Sequence, residues 1–323
     1  MNNEAAEELI DLEPSNGNIL TEVLVGLSKS QKTIPPKYLY DKKGSEIFEV
    51  ISRLPEYYPT RAENEILQIN AEEIAGMIGD DAVIIEPGSG SGEKVRHLFK
   101  KFSGTITYVP IEISKSILLR MTSELHEHFS NLRVIPVCAD FTQGMDFPLS
   151  VHAYASKKVV FFPGSTIGNF DPQDALSFLK NVTRIIGQEG SLIIGVDLKK
   201  NKSAYELAYD DPQGVTAAFN LNLLERLNRE VNATFELTNF DHQAFYNEVL
   251  GRVEMHLRSR IPQLVKVNES IFRFREGETI HTENSYKYSV EEFCELCAKA
   301  NLKLVKCWKD SNNLFCTYYF VKG

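Results

Sequence analysis

The sequence predicts an α/β fold: a doubly wound, mostly parallel sheet closed by a terminal antiparallel hairpin, with a second, smaller α+β domain inserted before that end. Three observations predict it. Short apolar strands alternate with helical stretches from about residue 62 to 198, the rhythm of βαβ units with right-handed crossovers. The first of those strands runs into a turn holding Gly88, Gly90 and Gly92. The chain closes with two β-rich runs, LKLVKCWKD and NLFCTYYFVKG, separated by the turn-forming residues Asp310, Ser311, Asn312 and Asn313.

The elements follow in order. AENEILQINAEEIAGMI, from residue 62, places apolar side chains at 66, 67, 69, 74, 77 and 78, a helical spacing. Strands are expected at 82–87, 105–113, 133–140, 157–164 and 190–198, with helices between them at EKVRHLFKKF, SKSILLRMTSELHEHF and QDALSFLKNVTRII. A last helix is expected over 289–300. Residues 199–287 break the rhythm, with a helical stretch, YELAYDDPQGVTAAFNLNLLERLNREV, ahead of strand-rich segments. In RVEMHLRS, Val253, Met255 and Leu257 alternate with polar residues, the period of a strand with one buried face. The expected division is a cofactor domain of 62–198 and 288–323, and a substrate domain of 1–61 and 199–287.

At 323 residues the chain has room for two modest domains with ample core. Its 43% hydrophobic content is ordinary for a soluble protein. A net charge of −9 argues against a nucleic-acid partner and suits neutral or cationic small molecules. No stretch reaches the ~18 apolar residues of a membrane span. The acidic start, MNNEAAEELIDLEP, lacks the basic region and apolar core of a signal peptide, so a cytoplasmic protein is expected, as a monomer.

Five cysteines without framework spacing (Cys138, Cys294, Cys297, Cys307 and Cys316) fit reduced thiols. Cys294 and Cys297 form C-x-x-C, but Val290, Phe293, Cys294, Cys297 and Leu302 fall near helical spacing, so both thiols are expected on a buried helix face rather than at a metal. His126 and His128, two apart, point to different faces. No metal is expected.

The glycine turn reads VIIEPGSGSGEK over 83–94, an apolar strand with Glu86 just before the glycines. A dinucleotide fingerprint read from Gly88 needs glycine where Glu93 stands, and one read from Gly90 fails at Val95. A Walker A loop fails because no GK[ST] closes it. What remains is E-x-G-x-G-x-G, the pattern of class I methyltransferases that bind S-adenosylmethionine (SAM) and release S-adenosylhomocysteine. A flexible strand–helix turn is the plain alternative.

Open α/β sheets bind ligands at the carboxyl ends of their strands. Glu112 ends the second strand, where an acid can accept both ribose hydroxyls. Asp140 ends the third, where its carboxylate can take an adenine amino group and Phe141 can flank the ring; a helix N-cap and a core phenylalanine are the alternatives. Lys94 either reaches the carboxylate of the methionine moiety or is a surface lysine. FFPGSTIGNF (161–170) ends the fourth strand, where such enzymes place the acceptor: Gly164 allows close approach, and Ser165, Thr166 and Asn169 supply neutral hydrogen-bonding groups.

The chain resembles the SAM-dependent histidine Nα-methyltransferases of ergothioneine biosynthesis, over about residues 34–323. The resemblance rests on IPPKYLYDKKGSEIFEVISRLPEYYPTRAENEIL, EPGSGSGEK, CADF, PGSTIGNF, AYDDPQGVTAAFN, RVEMHLRS and HTENSYKYS. It implies SAM held around Tyr40, Gly88, Gly90, Lys94, Glu112, Asp140 and Phe141. It implies an amino-acid substrate held at its amino and carboxylate end by Tyr57, Asn169 and Tyr209, beside Gly164 and Thr166. Glu283 and Ser285 would face the side chain, with Met255 nearby. Glu283 and Ser285 lie two apart, on one face if TENS is a strand, and together can satisfy both imidazole nitrogens; without the resemblance Glu283 reads as an exposed strand carboxylate. The implied product is the trimethylammonium betaine of histidine. No strong general base is expected, and a hydroxyl such as that of Tyr40 or Tyr57 orients the amine. Glu112 stands where relatives commonly have aspartate, and Asn284 where they have a small apolar residue. Two other readings stay open: the same methylation of another aromatic amino acid, such as tryptophan or tyrosine, and a SAM-binding protein without catalysis. An NAD(P) oxidoreductase has little left after Glu93 and the terminal hairpin.

Overall fold

The computed structural model describes residues 9–12, 14, 19–143 and 157–323; the first eight residues of the acidic N-terminal segment lie outside them. The chain divides into two compact units, one of Met1–Pro14, Arg61–Leu198 and Tyr288–Gly323, the other of Ser15–Thr60 and Lys199–Lys287.

The first unit is built on one sheet. Its strands run, edge to edge, Ile10–Asp11, Val137–Cys138, Ile106–Glu112, Val83–Pro87, Lys158–Phe162, Ser191–Asp197, Phe315–Lys322 and Leu302–Lys309. Leu132–Val134 adds alongside Ile106–Glu112. Neighbours pair in parallel until Phe315–Lys322, which runs antiparallel to both its neighbours and so forms the terminal hairpin. Val83–Pro87, Ile106–Glu112 and Ser191–Asp197 are buried along their whole length, which is why they read as continuous apolar runs and not as alternation. From Val83–Pro87 the chain passes first to one side of the sheet and later to the other. The strand order therefore reverses at the glycine turn, where ligands of such sheets bind.

Several expectations need correcting here. The third strand, expected at 133–140, is two short strands, because Pro136 between them has no N–H to donate. The helix expected at EKVRHLFKKF is one turn, Arg96–Phe99, with only Val95, Leu98 and Phe99 as its buried apolar anchors. Ile10–Asp11, expected with the substrate domain, pairs in parallel with Val137–Cys138 in the first unit's sheet. In the helix Val290–Lys299, Cys297 is fully buried but Cys294 is only half-buried, since residues three apart sit ~60° apart around the axis. Asn301, at φ 59°, ends that region, so Leu302 opens a strand instead of closing the helix.

The second unit holds the helices Ile19–Leu27, Lys42–Ile51, Lys202–Tyr209 and Val215–Glu230. Its sheet runs Lys32–Thr33, Thr279–Tyr286, Arg252–Ser259, Phe240–Asn247, and a separate hairpin pairs Gln263–Val267 with Ser270–Phe274. Arg252–Ser259 does not have one exposed face: Glu254 and His256 are buried, like Val253 and Met255 on the other face. The polar face is covered by its own contacts. His256 stacks between Phe245 at 5.3 Å and His281 at 4.6 Å. Among the described residues no helix is long and apolar enough to cross a membrane.

Candidate active site

In the first unit the expected positions gather at the carboxyl ends of the parallel strands. Gly88 and Gly90 adopt φ of 67° and 53°, the left-handed region that favours glycine. A Cβ on Gly88 would meet the Phe141 ring at 3.2 Å, whereas one on Gly90 would meet nothing within 4 Å. Bare backbone is therefore offered at Gly90, with Phe141 beside Gly88. Glu112 accepts the Gly90 N–H through Oε2 and the Ser114 N–H through Oε1, each at 3.0 Å. Burial pushes its carboxyl up, and these N–H groups pull it back. Beneath the turn, Glu86 accepts the Tyr108 hydroxyl at 2.6 Å, and burial raises its carboxyl to about 8. Asp140 accepts the Thr142 N–H and hydroxyl at 3.0 and 2.5 Å, which bends the chain into the single turn Phe141–Gln143. Phe141 lies edge-on to Phe162, Phe170 and Phe178.

Lys94 is no loose surface lysine. Its Nζ pairs with Glu63 Oε2 at 2.5 Å, and the same oxygen accepts the Gly164 N–H at 2.8 Å. Glu63 is 1% exposed and ties the glycine turn to the end of the fourth strand. Room for it comes from Gly195, whose Cβ would fall 1.9 Å from Glu63 Oε1. Two of the neutral groups expected for a substrate also bond backbone: Ser165 Oγ accepts the Asp197 N–H at 2.9 Å and keeps its donor, and Thr166 donates to the Pro163 carbonyl at 3.0 Å and keeps its acceptor lone pairs. Ser165 holds φ 57° in the left-handed region, a strained conformation of the kind found at binding loops. Asn169 closes the one-turn helix Thr166–Asn169.

The second unit gathers Tyr40, Tyr57, Tyr209, Met255, Glu283 and Ser285. Thr279–Tyr286 is a strand, and Glu283 pairs with Met255 while Ser285 pairs with Val253. Glu283 and Ser285 thus share one face, and both are buried, so the exposed-carboxylate expectation fails. Asn284 points to the opposite face, against Glu254, which takes that departure away from the Glu283–Ser285 pair. The Tyr40 hydroxyl, expected at the cofactor, donates to Glu283. Burial raises the Glu283 carboxyl to about 7 against the pull of nearby Lys287 and of Tyr40. Tyr209 donates to Ser285 at 2.8 Å. Tyr57 packs edge-on to Tyr209 at 6.2 Å, and Tyr40 edge-on to Phe48 and Phe219 at 5.6 and 5.4 Å.

AYDDPQGVTAAFN supports these residues from behind. Asp211 accepts the Val215 and Thr216 N–H groups and caps the helix Val215–Glu230. His242 bonds the Tyr209 carbonyl through Nε2 at 2.8 Å and Asn220 through Nδ1 at 3.0 Å. That requires a neutral ring protonated on Nε2, and burial does lower the His242 pKa. Glu254, His256 and His281 bring ligand-type atoms within 4.8 Å of one another. Glu254 already accepts from Arg252 at 2.8 Å, Asn247 at 3.0 Å and His256 at 3.0 Å, which satisfies its carboxylate. Glu63, Lys287 and His242 were not singled out from the sequence. Glu63 and Lys287 stand inside the quoted runs PTRAE and SYKYS, and 283, 285, 287 continues the strand period, which was the available signal.

An open glycine turn at the strand-order reversal, strand-end acids and a terminal antiparallel hairpin define a class I SAM-dependent methyltransferase, and the bare backbone at Gly90 beside Glu112 fits that cofactor. The fold is similar to that of the CcbJ methyltransferase from Streptomyces caelestis, with a TM-score of 0.50 at 13% identity, covering 88% of this chain and 100% of that one. The family described as histidine-specific, SAM-dependent methyltransferase matches residues 19–322, and the chain belongs to it. It is 37% identical over 294 residues to the histidine N-alpha-methyltransferase of Mycobacterium tuberculosis, and 36% identical to that of Mycolicibacterium smegmatis, covering 90% of each chain in both cases.

Proposed function

We propose that this protein transfers methyl groups from SAM to the α-amino nitrogen of L-histidine, three times, giving the histidine betaine hercynine for ergothioneine biosynthesis. One observation carries the proposal: a carboxylate and a hydroxyl, Glu283 and Ser285, side by side on a buried strand face in a family of histidine-specific methyltransferases. An imidazole needs one acceptor and one donor, and this pair supplies both.

SAM, when bound, supplies an electrophilic methyl on its sulfonium; Gly88, Gly90, Lys94, Glu112, Asp140 and Phe141 are the residues that would hold it. Tyr57, Tyr209 and Asn169, with Gly164 and Thr166, would take the amino and carboxylate end of the amino acid. Methyl transfer needs an in-line amine lone pair, so holding the amine in place is the main contribution of these side chains. The α-amino reference pKa of about 8 leaves part of the free amine neutral near physiological pH. A strong base is therefore unnecessary; a hydroxyl of Tyr40 or Tyr57 orients the lone pair, and the proton passes to water. The proposal carries with it a monomer in the cytoplasm acting on a free amino acid, with no metal and no nucleic acid.

Mass spectrometry of histidine incubated with SAM and the protein should show gains of one, two and three methyl groups together with S-adenosylhomocysteine. Methylation of tryptophan or tyrosine but not histidine would reduce the proposal to an aromatic amino-acid methyltransferase. Calorimetry that shows SAM binding but no amino-acid binding would replace it with a non-catalytic SAM-binding protein.

A further inference from the structure

Lys287 is 2% exposed, an expensive place for an ammonium unless its donors are met. Two of its three donors go to site residues. Nζ donates to Ser285 Oγ at 2.9 Å and to the Tyr209 hydroxyl at 3.2 Å, and it lies 4.9 Å over the Tyr209 ring. An ammonium can only donate, and a serine oxygen has two lone pairs. Ser285 Oγ accepts from Lys287 and from Tyr209, at 2.9 and 2.8 Å, so both lone pairs are taken. The Ser285 hydrogen is then turned away from Lys287 and Tyr209, which makes Ser285 a donor. Glu283, on the same strand face, is an acceptor when ionised.

On the histidine reading above, we propose that Lys287 is a positioning residue that sets ring specificity: it holds Ser285 as a donor beside the acceptor Glu283, a pair complementary to a neutral imidazole with one N–H and one bare nitrogen. Indole offers only an N–H, and a phenyl ring offers neither. The ammonium also favours the ionised form of Glu283. Lys287 touches no reacting atom in this scheme; it acts through Ser285, Tyr209 and Glu283.

The experiment uses the full chain, with Lys287→Met and, as a second variant of similar size that keeps polar atoms, Lys287→Gln. Calorimetry measures histidine, tryptophan and SAM binding from pH 6 to 8.5. Both variants should bind histidine about tenfold more weakly near pH 7, the scale of one unmet buried hydrogen bond. Their preference for histidine over tryptophan should fall, and the midpoint of the pH dependence of histidine binding should move up because Glu283 has lost its cation. SAM binding should be unchanged, and Lys287→Arg should restore part of the preference. A purely structural lysine would not move the pH midpoint. Wild-type histidine affinity, preference and midpoint in both variants would overturn the role of Lys287 and leave the histidine reading standing. Failure of the wild-type protein to bind histidine at all would instead bring down that reading, and this inference with it.

Discussion

At Glu283 a single carboxyl links burial to pH. Its pKa of about 7 means that acidification through neutrality protonates it and removes the acceptor for a ring N–H. A carboxyl raised on folding also opposes folding as pH rises from its ordinary value of 4.5 toward 7, because deprotonation is harder in the native state. Binding and stability therefore respond to this group in opposite senses. Histidine affinity should fall as pH drops below about 7, visible as an acid limb in calorimetric titrations. Glu283→Ala should flatten that limb and weaken histidine binding by about 5- to 150-fold, from roughly 1–3 kcal/mol for an unmet buried donor. SAM affinity should not change, and the mutant should discriminate less against tryptophan and phenylalanine. A variant that binds histidine as tightly as wild type would remove Glu283 from the site. The residue's place on the strand face was legible from the period of two in TENS; its burial was not, since a carboxylate in a polar-looking strand reads as solvated.

Secondary-structure elements here are held in place by close approaches at glycine. Gly195 lies in the fully buried strand Ser191–Asp197, where an added Cβ would fall 1.9 Å from Glu63 Oε1 and 2.9 Å from the Phe315 ring. Gly195→Ala should cost about 1–3 kcal/mol through overpacking, and should displace Glu63 from Lys94 and the Gly164 N–H. Differential scanning calorimetry should show a lower Tm, and SAM titration a weaker affinity. Wild-type values for both would mean that Glu63 does not position the glycine turn. The long, wholly buried strands, as mostly apolar runs, and the helix Pro172–Ile186, by its periodicity, were visible in the sequence. The split at Pro136 was signalled by the proline itself. The single turn Arg96–Phe99 was not signalled, because the charged residues around it are compatible with either a helix or a loop.

Across the whole chain, ligand linkage offers the most economical check of the cofactor. S-adenosylhomocysteine at 100 times its Kd should stabilise the protein by about 2.7 kcal/mol, and NAD at the same concentration should not. A thermal shift with NAD and none with S-adenosylhomocysteine would contradict the cofactor assignment. The alternation of strands and helices, the glycine turn and the strand-end acids Glu112 and Asp140 follow from local spacing, because strand period and turn chemistry are properties of short segments; Glu283 and Ser285 were marked by the family resemblance, and spacing added only that they share a strand face. The partnerships that make those residues work are non-local. Glu63 meets Lys94 across 31 positions and Gly164 across 101, and Lys287 meets Tyr209 across 78. Spacing cannot reveal which distant groups share a buried site, and burial together with those partners sets the raised Glu283 pKa, the donor role of Ser285 and the neutral His242. Chain order was enough for the fold class and the strand-end acids, and the resemblance for the substrate residues; their protonation and hydrogen-bond direction came from packing that brings distant segments together.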